Sequence, residues 1–235
     1  MSELKYVGSE LELFGKAHNW KSYYGRILGP YLGETVLEVG AGAGLTTPYL
    51  ITGRQRLWTA LEPDPELAAR VEEEYEARGY ASRSTVICGT LDDAPEGARY
   101  SAVLYIDVLE HIEDDRAEVA RAAERIEPGG RLIVLGPAHQ FLFSEFDDAI
   151  GHFRRYTTGM LEALTPPGLQ VERSFYLDSA GILASLGNRL LLRSSMPTPA
   201  QIQLWDRYLT QISRVLDPLL LRRLGKTAIT IWHRP

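Results

Sequence analysis

Three alternating glycines, Gly40-Ala41-Gly42-Ala43-Gly44, stand directly behind the apolar run Thr35-Val-Leu37, with Glu38 two positions before the first of them. A strand that runs into such a loop must turn through backbone conformations that a Cβ disfavours, and it leaves room for a ligand against the main chain. The spacing is Gly-x-Gly-x-Gly, not the Gly-x-Gly-x-x-Gly of dinucleotide binders. A carboxylate at Glu38 opposes a pyrophosphate but tolerates a ligand that carries an ammonium or sulfonium cation. The helix expected after Gly44, from about Leu45 to Ile51, offers free N–H groups to a ligand carboxylate. A ligand with a cationic and a carboxylate end has an amino-acid moiety.

Apolar runs alternate with helical patterns, the signature of βαβ units and a parallel sheet. Strands are expected at Val36–Val39, Leu57–Leu61, Ser84–Cys88, Ala102–Ile106, Arg131–Leu135, about Leu169–Leu177 and Thr227–Trp232. Helices are expected at Pro65–Arg78, from an N-cap at Asp114 or Asp115 to Ile126, and at Gly159–Leu164. Right-handed crossovers bring the carboxyl ends of the first, second and fourth strands to one edge.

The glycine loop, Glu62 in Leu61-Glu62-Pro63-Asp64, Gly89-Thr90-Leu91-Asp92, Asp107-Val-Leu-Glu110-His111 and Pro128-Gly129-Gly130 follow in order between about Val36 and Gly136. In that order they resemble the motifs of class I S-adenosylmethionine-dependent methyltransferases, of the small-molecule type 11/12 kind. The resemblance implies an α/β, Rossmann-like sheet of seven mostly parallel strands, the last antiparallel, with helices on both faces. It implies S-adenosylmethionine as cofactor, bound by Gly40, Ala41, Gly42 and Gly44 with Glu38 supporting the loop. Glu62 and Pro63 would meet the ribose, since two carboxylate oxygens accept two hydroxyls. Thr90 and Leu91 would flank adenine with Asp92 nearby, and the backbone at Ile106–Asp107 would hold the methionine ammonium. A second patch, Ala17-His-Asn-Trp20-Lys-Ser-Tyr-Tyr24, resembles the leading helix of bacterial methyltransferases from surface-glycan, lipid and natural-product gene sets. The segment Gly151-His152-Phe-Arg154-Arg155-Tyr156 and the Leu-Gly-Lys-Thr near the end are similar to the same group.

The chain has 235 residues, enough for one domain with an insertion. Residues 1–33 are expected as a helical lid, 34–177 as the cofactor-binding core, 178–225 as a helical cover inserted between the sixth and seventh strands, and 226–235 as the last strand. Within the cover, Ile202, Trp205, Leu209, Ile212, Leu216 and Leu219 are spaced as one helix face, widened by Tyr208, Val215 and Leu220. Arg189, Arg193, Arg207, Arg214, Arg222 and Arg223 flank its Leu-rich runs. A roof over the substrate, a dimer interface and a membrane contact are all consistent with that pattern, and a plain packed cover is favoured over each. The net charge of −6 argues against nucleic acid as partner. No basic-then-apolar signal opens the chain and no apolar run spans a bilayer, so a cytoplasmic protein, monomer or homodimer, is expected. The single cysteine, Cys88, is expected as a buried strand thiol.

Methyl transfer is a displacement at the sulfonium methyl, so the protein must align a nucleophile, exclude water and often remove a proton. His152 is the favoured base, with Asp148 orienting it from i−4, and His111 is the alternative. Substrate contacts are expected from Trp20, Tyr24, His139, Arg154, Arg155 and Tyr156, although pairing of the arginines with Asp147 or Asp148 is the competing reading for those two. His139, Glu145, Asp147, Asp148 and His152 match no metal-binding spacing, and no metal is expected. The expected reaction is methylation of a small-molecule acceptor, with oxygen first and nitrogen or carbon open. The rivals are a nicotinamide oxidoreductase and a non-catalytic cofactor-binding module.

Overall fold

A computed structural model describes residues 10–187 and 197–235. Two helices lead, α1 (Glu10–Gly15) and α2 (His18–Leu28). The alternation then follows the expected order: β1 (Thr35–Val39), β2 (Leu57–Glu62), α3 (Pro65–Ala77), β3 (Ser84–Cys88), β4 (Tyr100–Ile106), α4 (Asp115–Glu124) and β5 (Ile126–Pro137). After β5 come α5 (Glu145–Ala149), α6 (Thr158–Glu162), β6 (Gln170–Leu177), α7 (Gly181–Gly187), α8 (Pro199–Leu204), a π-helical turn (Trp205–Leu209), α9 (Thr210–Leu219) and β7 (Thr227–His233).

The sheet has seven strands in the order β3-β2-β1-β4-β5-β7-β6. β1 to β5 are parallel, and β7 runs antiparallel to both β5 and β6. Because both faces are covered, the inner strands are apolar throughout rather than alternating: Ala102 to Tyr105 of β4 and Leu132 to Leu135 of β5 are fully buried. Helix starts follow local chemistry. Asp64 caps α3 by accepting from the Glu66 and Leu67 amides, with Pro65 in the first turn. Asp114 caps α4 through the Ala117 amide. The order reverses between β1 and β4, so a crevice opens at their carboxyl ends.

Two expectations fail. No α-helix follows Gly44: only a 3₁₀ turn forms, Thr47–Tyr49, because Pro48 removes a donor and β-branched Thr46 and Thr47 disfavour the helix. Cys88 is exposed, because β3 is an edge strand.

The cover departs most from its pattern. Ile202 and Trp205 pack inward as expected, but the π turn places an extra residue in the helix and rotates the face that follows. The buried side of α9 is therefore polar: Asp206, Thr210, Ser213 and Asp217 face in, while Ile212, Leu216 and Leu219 face out. Each buried carboxylate has specific donors. Asp206 accepts from the Asn19 and Trp20 amides at the start of α2. Asp217 accepts from the Asp178 and Ser179 amides and the Tyr23 hydroxyl. Asp178, at φ 62, accepts from Trp205 Nε1 and Ser213 Oγ. Residues 188–196 of the cover, Arg189 and Arg193 among them, lie outside the described residues.

Inverting the face makes a measurable difference. Asp217→Ala should lose about 3 kcal/mol in urea unfolding, because it strands three buried donors. Leu219→Ser, on the outward face, should stay within about 0.5 kcal/mol of wild type. The opposite ranking would mean that the apolar face packs inward.

Candidate active site

The three loop glycines have φ of 69°, 58° and 72°, the left-handed region that a side chain resists. Gly40 has no alternative, since a Cβ there would lie 2.6 Å from Val108. The Gly40 and Ala41 amides both donate to Leu61 O, which folds the loop back onto the end of β2. At that end Glu62 accepts from the Gly42 amide at 2.7 Å and from the Asp64 amide at 3.0 Å, one on each oxygen. Each oxygen keeps acceptor capacity for a further donor. Burial raises its pKa, and the two amides work against that.

Glu38 lies beneath the loop rather than on its open side. Its Oε2 accepts from Thr47 Oγ1 at 2.6 Å, Trp58 Nε1 at 2.8 Å and Tyr75 at 3.5 Å. Burial pushes its carboxyl up to about 7 against those three hydrogen bonds. Thr90 lies exposed at the end of β3 with Leu91 buried behind it, and Pro63 takes the Cys88 thiol on its carbonyl.

Asp107 ends β4 at φ 54, another left-handed position, its amide held by Leu135 O. Water reaches its side chain, yet protein surrounds it, as at the floor of a cleft. That enclosure raises its carboxyl to about 6, tempered by His152, Lys226, Lys21 and Arg155. Lys21 crosses to the loop, donating to Gly15 O and Leu45 O, and burial lowers it to about 8. Lys226 sits 3.9 Å above the Trp205 ring, and 3.5 Å from Asp178.

The segment after β5 folds back over this floor. Phe153 N donates to Glu110 O, and His139 N to Tyr156 O. His152 Nδ1 lies 2.8 Å from Asp147 Oδ1, and the His111 and His152 rings meet edge to face at 4.6 Å. Asp147 also takes both Nε and Nη2 of Arg155, at 2.8 and 2.9 Å. Burial works to raise the Asp147 carboxyl, but His152 and Arg155 outweigh it and hold it near 2. Burial, then the neighbouring His152, lowers His111 to about 4.

Several expected contacts are corrected here. Asp148 does not orient His152: α5 ends at Ala149, Gly151 turns at φ 81, and the ring returns over Asp147, leaving Asp148 exposed. Arg155 is occupied by Asp147, and Arg154 by Asp115 and the Ile112 and Glu113 carbonyls, so neither guanidinium is open to a substrate. Tyr156 is buried, with its hydroxyl on Asp115. Trp20 and Tyr24 belong to the core, where Trp20 packs on Trp205 and Tyr24. The piece over the glycine loop is instead α1, whose Leu11 stands 3.4 Å from where a Gly42 Cβ would be. His139 stacks between Phe141 and Tyr176, away from the His111–His152 pair. Sequence reasoning assigned no role to Glu110 or Lys226, and gave Asp147 a pairing with the arginines and a place in a metal set that matches no known spacing. The Glu110-His111 dipeptide was the available signal, but its partner His152 is remote in the chain.

Residues 37–132 match the family model described as a methyltransferase domain. The ubiquinone biosynthesis O-methyltransferase of Xylella fastidiosa (strain 9a5c) is 34% identical over 107 residues, covering 45% of this chain and 42% of that protein. The chain spans about two fifths of the length of the curated relatives it matches. Among solved structures, coclaurine N-methyltransferase bound to N-methylheliamine and SAH superposes with a TM-score of 0.61 at 14% identity, covering 90% of this chain and 71% of that one. The [4+2]-cyclase SpnF superposes at 0.64, with 14% identity and 97% and 95% coverage. These likenesses are of fold.

Glu38 makes stability depend on pH. Its folded pKa, about 7, exceeds the usual 4.5, so between these values the native state holds a proton that the unfolded chain releases. Stability from this group is therefore complete below pH 4.5 and lost as pH rises through 7, by about 3 kcal/mol. Glu38→Gln should lose that much less stability than wild type between pH 5 and 8. Parallel pH profiles for the two proteins would show that Glu38 does not carry the effect.

Proposed function

As the chain belongs to the class I S-adenosylmethionine-dependent methyltransferases, we propose that it transfers a methyl group from S-adenosylmethionine to a small-molecule acceptor, at a hydroxyl oxygen. The observation that most supports a donor site is the pairing of Glu62 with the Gly42 amide, where a left-handed glycine turn meets the end of β2. The residues present fit the cofactor. The glycine turn offers a cradle that a Cβ would fill, Glu62 keeps one acceptor position on each oxygen for a ribose hydroxyl, and Asp107 offers backbone and carboxylate to an ammonium.

The cofactor supplies an electrophilic methyl: the acceptor oxygen forms the new C–O bond as the C–S bond breaks to a neutral thioether, and the hydroxyl proton leaves. The chain's own residues do the rest. Glu62 and the glycine turn fix the donor, and Leu11 and α1 close the turn from water. His111 and His152, beside Asp107, stand where the acceptor's proton is lost. Two histidines so placed favour an oxygen acceptor over a neutral amine, because the amine attacks with its own lone pair while a hydroxyl is a weak nucleophile until it is deprotonated. The fold alone does not carry this reading, since SpnF shares the fold.

S-adenosylhomocysteine should bind one to one in calorimetry. Glu62→Gln should weaken it about tenfold, the worth of roughly one charge-assisted hydrogen bond. With methyl-labelled S-adenosylmethionine and a cell extract, the label should enter a small molecule as an alkali-stable methyl ether. Absence of S-adenosylhomocysteine binding by the wild-type protein would overturn the reading, and label on nitrogen or carbon would overturn the choice of oxygen.

A further inference from the structure

Glu110 is fully buried, and neither of its carboxylate oxygens has a hydrogen-bond partner. Its neighbours do not relieve this. Gly136 offers only the space of a missing Cβ, 3.1 Å from Oε2, and His152 Nε2 approaches Oε1 no closer than 3.8 Å. A buried carboxylate without a donor or cation is rare in a well-packed protein. The His111 and His152 rings converge on the same point, and one ligand atom from each of Glu110, His111 and His152 lies within 4.8 Å of the others.

We propose that Glu110, His111 and His152 form a binding site for a divalent transition-metal cation of the zinc type, placed beside Asp107 at the acceptor end of the cleft. Tetrahedral zinc with bonds of about 2.0–2.1 Å sets neighbouring ligand atoms roughly 3.3 Å apart, so the cluster needs only a small contraction around the ion. Two imidazoles and one carboxylate suit zinc and its neighbours better than magnesium or calcium, and three protein ligands leave a fourth position open.

The shell behind the ligands is already built. His152 Nδ1 is engaged by Asp147, which both Nε and Nη2 of Arg155 hold in place. The His111 ring is hydrogen-bonded to the backbone at Ile150 and Gly151. Such outer contacts fix the orientation of ligating histidines and present the other nitrogen to the ion. Phe153 N to Glu110 O joins the two ligand-bearing segments. The set weighed from the sequence (His139, Glu145, Asp147, Asp148, His152) shares only His152 with this one. The difference arises because the fold, not the spacing, brings His152 to Glu110 and His111.

What the ion does rests on the proposed methyl transfer; whether it binds does not. An acceptor hydroxyl at the open position would lose its proton more readily, so with the ion bound the same two histidines would assist deprotonation as its ligands.

Protein stripped with a chelator should take up one zinc per chain in calorimetry, with a matching rise in melting temperature. Cobalt substituted at the site should give the visible absorption of a four-coordinate nitrogen and oxygen complex. Glu110→Gln should weaken zinc at least about 100-fold, and Asp147→Asn about 10- to 100-fold. His18→Ala, at a surface histidine, should leave it unchanged. Glu110→Gln should melt at or above the metal-free wild type, which separates lost ligation from lost folding, and His111→Ala gives an independent loss. Zinc binding that is weak and multiple in wild type, or undiminished in Glu110→Gln, overturns the site. Titrating S-adenosylhomocysteine into the same preparation keeps the two readings apart: retained binding without zinc uptake sinks the metal site alone, and zinc uptake without it sinks the donor site alone.

Discussion

The cofactor edge of the sheet hangs on the buried carboxylate of Glu38. It gathers Thr47 from the turn after the glycine loop, Trp58 from β2 and Tyr75 from α3 onto one oxygen. Those three donors tie together the elements that must hold the left-handed turn rigid, and no α-helix follows the turn to do so. The arrangement has a cost, since the same burial disfavours the ionised form. A neutral acid would serve the anchor as well as a charged one, because Oε2 accepts in either state. Glu38 therefore holds the glycine turn from below, through Thr47, Trp58 and Tyr75, while Glu62 meets the turn itself at the Gly42 amide.

The order of strands and the position of Glu62 were legible because a doubly covered parallel sheet writes continuous apolar runs and its loops write glycine and acidic punctuation. Ser84–Cys88 was read to the residue. What failed has two physical sources: a local breaker at Pro48, and tertiary partners that leave no periodic trace. The helix expected from about Leu45 to Ile51 contains Pro48, and only the turn Thr47–Tyr49 forms. The face of α9 was assigned from the spacing of apolar residues, and a five-residue π turn reversed it. Nothing in Trp205-Asp-Arg-Tyr-Leu209 announces that turn, within which Asp206 accepts from the Asn19 and Trp20 amides at the start of α2.

The site was legible in the same uneven way. The glycine turn and Glu62 follow from local backbone chemistry, and the fold brings them together at the ends of β1 and β2. His152 was identified, but not its partner, because helical periodicity favoured Asp148 while Gly151 broke the helix first. Arg154 and Arg155 looked like anion hooks only while their carboxylates were unknown. Once Asp147 and Asp115 are in place, both are consumed in building the wall of the cleft.

That wall explains how one fold hosts different chemistries. The proposed donor half rests on main-chain geometry, with Glu62 at the end of β2 on the Gly42 amide. The acceptor half is made of side chains that come from three separate segments: Asp107 and Glu110-His111 after β4, Asp147 to Arg155 after β5, and Lys226 before β7. Asp107 there lies within electrostatic reach of His152, Lys226, Lys21 and Arg155, while Asp147 is paired with Arg155 and His152. Glu110 has no partner among them, so the chemistry of the acceptor end turns on what it meets when the cleft is filled.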